Sequence, residues 1–97
     1  MKFAWDDNKA EANLKKHKVS FEEASTVFSD PLAAIFADDE HSSPGELREI
    51  IIGISDRKRL LLTSFTERAT VIRIISSRPA TKHEQSDYEK NIWRRSF

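Results

Sequence analysis

The sequence predicts a small α+β fold: an antiparallel sheet with two N-terminal helices packed on it and a C-terminal helix, in the order β-α-α-β-β-β-β-α. Three observations carry that expectation. Two capping boxes, Ser20-Phe-Glu-Glu23 and Thr81-Lys-His-Glu84, each mark the start of a helix. Apolar runs at 47–54, 60–66 and 69–76 follow one another across short polar links, which favours a meander of antiparallel strands. Only 2 glycines and 3 prolines punctuate 97 residues, so little chain is left for linkers, and one domain spanning 1–97 is expected.

Each element has its own local reason. Residues 2–5 read as a short strand. Asp6 or Asp7 caps a helix running to His17, with a thin stripe of Ala10 and Leu14 and with Asn13 and His17 on the same side. The second helix starts at Phe21. Phe21, Ala24, Val27 and Phe28 recur at helical spacing and face the core, and Asp30-Pro31 ends the run. Residues 32–37 form a strand, 38–45 an acidic loop, and 47–54 a strand too apolar on both faces to lie exposed. After the turn at 55–59 come the last two strands. Thr81 opens the final helix, in which Gln85, Tyr88 and Ile92 have core spacing. Arg94 and Arg95 sit where the helix dipole favours cations. Phe3, Trp5, Phe36, Phe65 and Trp93 read mostly as core, since they form no stacking pattern for single strands.

A chain of this length buries roughly 60–65% of the surface its unfolded form exposes, enough for one core without staples. Cysteine is absent, which removes disulfides, thiolate metal sites and a cysteine nucleophile, and fits a reducing cytoplasm. The first residues are too short and polar a run for a signal peptide, and no stretch reaches the ~18 apolar residues of a membrane span. Net charge is zero, yet residues 1–45 hold 5 basic and 9 acidic side chains and residues 46–97 hold 11 basic and 7 acidic. A neutral total gives no support to bulk electrostatic binding of long duplex DNA. Phosphate loops, Walker patterns and nucleophile elbows are missing from the sequence.

The chemistry candidates gather in Arg73-Ile-Ile-Ser-Ser-Arg78-Pro-Ala-Thr81. Arg73 lies among apolar neighbours in a strand. It either meets an anion or pairs with a cross-strand carboxylate such as Glu49. Arg78 lies beside a helix N-terminus, where phosphate is favoured, or else faces solvent. The two fall on opposite faces of a regular strand, and a bend or bulge at Ser76-Ser77 brings them together. His17, flanked by Lys15, Lys16 and Lys18, is either a proton-transfer group or part of a basic helix end. His41 shares its loop with Asp38, Asp39 and Glu40; the spacing matches no zinc or calcium motif, and the histidine reads as surface or as the completion of an active site. Glu46 and Arg48 alternate on one strand face, as an ion pair or as substrate contacts. Tyr88 is expected in the core or at its edge, by its spacing with Ile92, from where its hydroxyl can reach toward the Arg78 end.

Taken in order, these pieces resemble the BrnT-type toxins of bacterial type II toxin–antitoxin modules. The matching residues are Phe3-Ala-Trp5-Asp6, Asn13 with Lys16-His17, Val19-Ser-Phe-Glu-Glu-Ala24, Val27-Phe28, Asp38 to Ser42, Glu46 and Arg48, Ile52-Gly53, the Arg73 to Thr81 stretch, and Tyr88-Glu89. Two positions depart: Lys18 and Lys58 stand where the family usually has glycine. Both are turn positions, and Lys18 bears on the pose of His17.

The resemblance implies a RelE-like fold and RNA cleavage that halts translation. It implies a cognate BrnA-like antitoxin with a ribbon-helix-helix part, a toxin–antitoxin heterotetramer, and contact with operator DNA only through the antitoxin. Metal-free cleavage needs a base for the 2′-hydroxyl, an acid for the leaving oxygen and cations for the developing charge. The expected roles are Arg73 and Arg78 on the scissile phosphate, His17 or His41 moving protons with Glu46 as an alternative base, and Lys16, Arg48 and Lys82 on flanking phosphates. No cofactor, metal or membrane is expected, and the location is cytoplasmic. The alternative is a non-catalytic module that binds the antitoxin and acts as co-repressor.

Overall fold

The structure is a computed structural model that describes residues 1–95, with side chains described through Asn91. The expectations for Ile92, Trp93, Arg94 and Arg95 concern side chains outside that range.

The helices begin where short side chains satisfy their free N–H groups. Helix α1, Asp7–His17, is capped by Asp6, whose Oδ1 accepts from Asn8 N at 2.8 Å and Lys9 N at 3.1 Å. It ends at Lys18, which takes the left-handed conformation at φ 59°, ψ 32° and donates its N–H to Leu14 O. Lys58 does the same at φ 64°, so both lysines keep a backbone that glycine adopts at less cost. Helix α2, Phe21–Thr26, is capped by Ser20 Oγ on Glu23 N at 3.0 Å and continues as a 3₁₀ turn over Val27–Ser29. Helix α3, Lys82–Arg95, starts with both halves of its capping box formed between Thr81 and Glu84.

Strands β1 (Lys2–Ala4), β2 (Ala34–Ala37), β3 (Arg48–Ile54), β4 (Leu60–Arg68) and β5 (Val71–Pro79) form one sheet in the order β1-β5-β4-β3-β2. The meander from β2 to β5 is antiparallel throughout, as the short links predict. β1 is the exception, pairing parallel with β5 at Val71 to Arg73. The helices α1 and α2 between it and the meander carry the chain back to the same end, as a parallel pair requires.

The core lies between the sheet and α1, α2 and the 3₁₀ turn. Val19, Phe21, Val27, Leu61 and Ile74 are all but fully buried, and each contributes on the order of 1.5–3 kcal/mol by leaving water. Phe28 bridges β1 and β4, its ring 5.3 Å from Phe3 and 5.0 Å from Phe65. Three local expectations change. Leu14 is exposed, and the buried stripe of α1 runs through Ala10 and Asn13. Phe36 and Gln85 are exposed as well, the first because β2 is an edge strand. Tyr88 is buried, as its spacing predicts, and its hydroxyl donates to Asp30 Oδ2 at 2.7 Å; burial, with that hydrogen bond, pushes it up to about 12.

Glu23, expected to complete the capping box of α2, is instead buried and paired with Arg59. It accepts from Arg59 Nε at 2.9 Å and from Arg59 Nη2, and from Ser55 Oγ at 2.7 Å. Arg59 Nη2 also donates to Lys18 O at 2.9 Å. One guanidinium thus ties the end of α1, the start of α2 and the β3–β4 turn.

Candidate functional site

One bulge decides which side chains share the open face of the sheet. Ser64 pairs with Ser76, but the next residue, Phe65, pairs with Ile74, so Ile75 is the extra residue. The slip lies one residue before the expected Ser76-Ser77 and puts the two arginines on one face of the sheet, without bringing them to one mouth. Arg73 opposes Thr66 and Arg78 opposes Leu62, both on the β4 face that also opposes Arg48 and Ile52 of β3. Glu49 falls on the other face, opposite Phe65, which removes it as a partner of Arg73.

The short β1 leaves the edge of β5 open beyond Arg73, and α1 closes it. The Asn13 amide stands in for a strand there. Its Oδ1 accepts from Ser77 N at 3.1 Å, and its Nδ2 donates to Ser77 O at 2.8 Å and to Val19 O at 2.9 Å. This side chain, 7% exposed, brings His17 and Lys16, one turn further on, to the open face. Across the face, the loop after β2 forms a 3₁₀ turn, Asp39–His41. Ser42 staples it: Oγ donates to Asp38 O at 2.8 Å and accepts from Arg48 N at 2.9 Å. Asp38 N donates to Arg48 O at 2.9 Å. The turn holds His41 with Nδ1 at 3.1 and 3.0 Å from the two Asp38 carboxylate oxygens.

These pieces surround a cleft of about 620 Å³. Lys16, His17, Asp38, Glu40, His41, Arg48, Arg78 and Glu84 line it, over a floor that includes Ile50, Leu62, Ser64, Ile75 and Ser76. Three fixed cations face three carboxylates across it. Arg78 is already engaged. Its Nη1 and Nη2 each donate to one Glu84 oxygen at 2.8 Å, and this fork, with Thr81 N at 2.8 Å, holds the Glu84 carboxyl down to about 2.

Of the residues expected from sequence, the cleft therefore unites Lys16, His17, His41, Arg48 and Arg78. Arg73 and Lys82 lie outside its lining. Arg73 is exposed on the same face, further along β5, and makes no ion pair with the described residues. Glu46 stands behind the cleft as a local ion pair, accepting from Arg48 Nε at 3.1 Å and Arg68 Nη2 at 3.2 Å. Those contacts, Arg48 first, hold its carboxyl below the usual range and make it a weaker base. Two residues escaped the sequence reading as site residues. Glu84 was visible only as half of a capping box, and Asp38 only as one acid in an acidic loop; Asp38 three residues before His41 is the signal that was available. The described residues bring together no group of three or more His, Cys, Asp and Glu side chains suited to a metal ion.

The family model for the ribonuclease toxin BrnT of type II toxin–antitoxin systems matches residues 5–84. In overall shape the chain is similar to the crystal structure of the Brucella abortus ribonuclease toxin, BrnT, with a TM-score of 0.65 at 24% identity over 84% of this chain and 99% of that one. No curated protein matches it. The match places the protein among the toxins of type II toxin–antitoxin systems, whose partner is an antitoxin. More narrowly, the chain belongs to the BrnT family of ribonuclease toxins. None of its described helices is long and apolar enough to cross a membrane.

Proposed function

We propose that this chain is a single-domain endoribonuclease toxin that cleaves RNA without a metal ion and thereby halts translation in the cytoplasm. A cognate ribbon-helix-helix, BrnA-like antitoxin neutralises it in a heterotetramer and supplies the contact with operator DNA. The observation that carries the reading is the cleft itself, where Lys16, Arg48 and Arg78 share one mouth with His17 and His41.

The chain's own groups suffice for transesterification. One imidazole takes the proton of the ribose 2′-hydroxyl; its oxygen bonds to the adjacent phosphorus, the bond to the 5′-oxygen breaks, and the second imidazole returns a proton to that oxygen. Each such proton transfer supplies about 10²–10⁴-fold. Arg78 faces the scissile phosphate, with Glu84 as the carboxylate that RNA must displace or share. Lys16 and Arg48 hold flanking phosphates. Arg73, further along the same face, and Lys82 extend the track to phosphates beyond the cleft, and Glu46 sets the pose of Arg48.

The test is incubation of purified protein with RNA in a chelator, beside expression of Arg73→Ala and Arg78→Ala variants in growing cells. Cleavage in chelator, lost with growth arrest in folded Arg78→Ala, is the expected result. Intact RNA would favour the second reading, a non-catalytic antitoxin-binding co-repressor. That reading has its own support in Glu84, which already occupies both terminal nitrogens of Arg78. Persistent toxicity in folded Arg73→Ala would remove Arg73 from the phosphate track.

A further inference from the structure

We infer that Asp38 is a positioning residue that holds the His41 imidazole as the general base of the cleft; the inference rests on the nuclease reading above. The starting point is an asymmetry between the two cleft histidines. His41 Nδ1 is within hydrogen-bond distance of both Asp38 oxygens, at 3.1 and 3.0 Å. His17 has no carboxylate partner among the described residues. The remaining imidazole–carboxylate approach among them, His83 to Asp87 at 3.8 Å, lies on α3 outside the cleft lining.

An ionised carboxylate only accepts hydrogen bonds, so the proton of neutral His41 resides on Nδ1. Nε2 is left with a free lone pair. The same carboxylate stabilises the imidazolium formed when Nε2 takes a proton. Asp38 is placed to do this with little freedom: its side chain is 13% exposed while that of His41 is 60% exposed. Its backbone is fixed independently of the carboxylate, by Asp38 N on Arg48 O and Ser42 Oγ on Asp38 O. The chain thus anchors the acid and leaves the imidazole open to the cleft, the arrangement a proton acceptor needs. In the cleavage step His41 Nε2 receives the 2′-hydroxyl proton as the P–O2′ bond forms and the P–O5′ bond breaks. His17, protonated, returns a proton to the leaving 5′-oxygen. Other charged groups facing His41 are Glu40 of the same turn, Lys16 of α1, Arg48 of β3, and Arg78 and Glu84 across the cleft.

Two measurements test the assignment. Long-range ¹H–¹⁵N spectra of the wild-type protein should show neutral His41 as the Nδ1–H tautomer, and Asp38→Ala should shift it toward Nε2–H. Single-turnover cleavage of a synthetic RNA oligonucleotide should slow at least 100-fold in His41→Ala. In Asp38→Ala and Asp38→Asn it should slow about 10–100-fold with KM unchanged. Asp38→Glu should recover part of the rate. A wild-type Nε2–H tautomer, or wild-type rates in Asp38→Ala, overturns the inference while leaving the nuclease standing. Wild-type protein that cleaves no RNA overturns both.

Discussion

Glu84 grips Arg78 through two parallel hydrogen bonds of 2.8 Å, and the same carboxylate caps α3 through Thr81 N. A residue that reads as a helix cap is therefore also an internal occupant of the place a phosphate would take. Its stability contribution follows from its ionisation. The folded-state value of about 2 lies below the usual 4.5 of a free glutamate, so the contribution is complete above 4.5 and is lost as pH falls from there through about 2. With the Arg78 side chain 37% exposed and partly screened, that contribution is on the order of 2 kcal/mol.

Glu84→Gln should therefore lower stability at pH 7 by about 2 kcal/mol, and the deficit should shrink toward pH 2, as read by urea unfolding at several pH values. The same variant frees Arg78. RNA binding should tighten and its dependence on salt should steepen by about one phosphate contact. A variant that binds RNA no better than the wild type would show that Glu84 does not compete for the guanidinium.

The Glu23–Arg59 pair predicts a different outcome. Arg59→Ala leaves a buried carboxylate without its cation and uncaps Lys18 O, at a cost of about 2–4 kcal/mol. Glu23→Gln combined with Arg59→Met should recover much of that loss, because an uncharged pair carries no desolvation penalty. Thermal unfolding of Glu23→Gln, Arg59→Met and the double variant measures the coupling.

Lys18 and Lys58 hold left-handed backbone at φ 59° and 64°. A side chain there costs roughly 1–2 kcal/mol, offset in part by the freedom glycine has when unfolded. Lys18→Gly and Lys58→Gly should each stabilise the fold by about 0.5–1 kcal/mol. Denaturant midpoints that fall in both variants would show that the lysine side chains contribute more than their backbone strain costs.

Asn13→Ala strips Ser77 N of its acceptor and both Ser77 O and Val19 O of a donor. Leaving such buried groups without partners costs about 2–4 kcal/mol in total. Because Asn13 also fixes the end of α1 against β5, cleavage should drop along with stability. Lys16→Ala, on the exposed side of the same turn, should weaken RNA binding with stability changed by less than about 0.5 kcal/mol. Chemical unfolding and RNA titration separate the two effects.

The sequence by itself determined where the elements begin and how the last strands connect. Asp6, Ser20 and Thr81 cap helices through side-chain bonds that reach only two or three residues, and the short polar links between the apolar runs leave the strands no partner nearer than each other. The family was legible as well, because the order of its motifs is a property of the chain. Tertiary structure alone decided what those residues touch. Glu23 left its expected cap for Arg59, 36 positions away, and Asn13 reached Ser77, 64 positions away. β1 joined β5 in parallel, and one extra residue at Ile75 put Arg73 and Arg78 on a common face. Capping and alternation act over a few residues and can be read locally. A bulge or a buried ion pair depends on which distant segment arrives alongside, and that is settled only when the whole sheet closes on its helices.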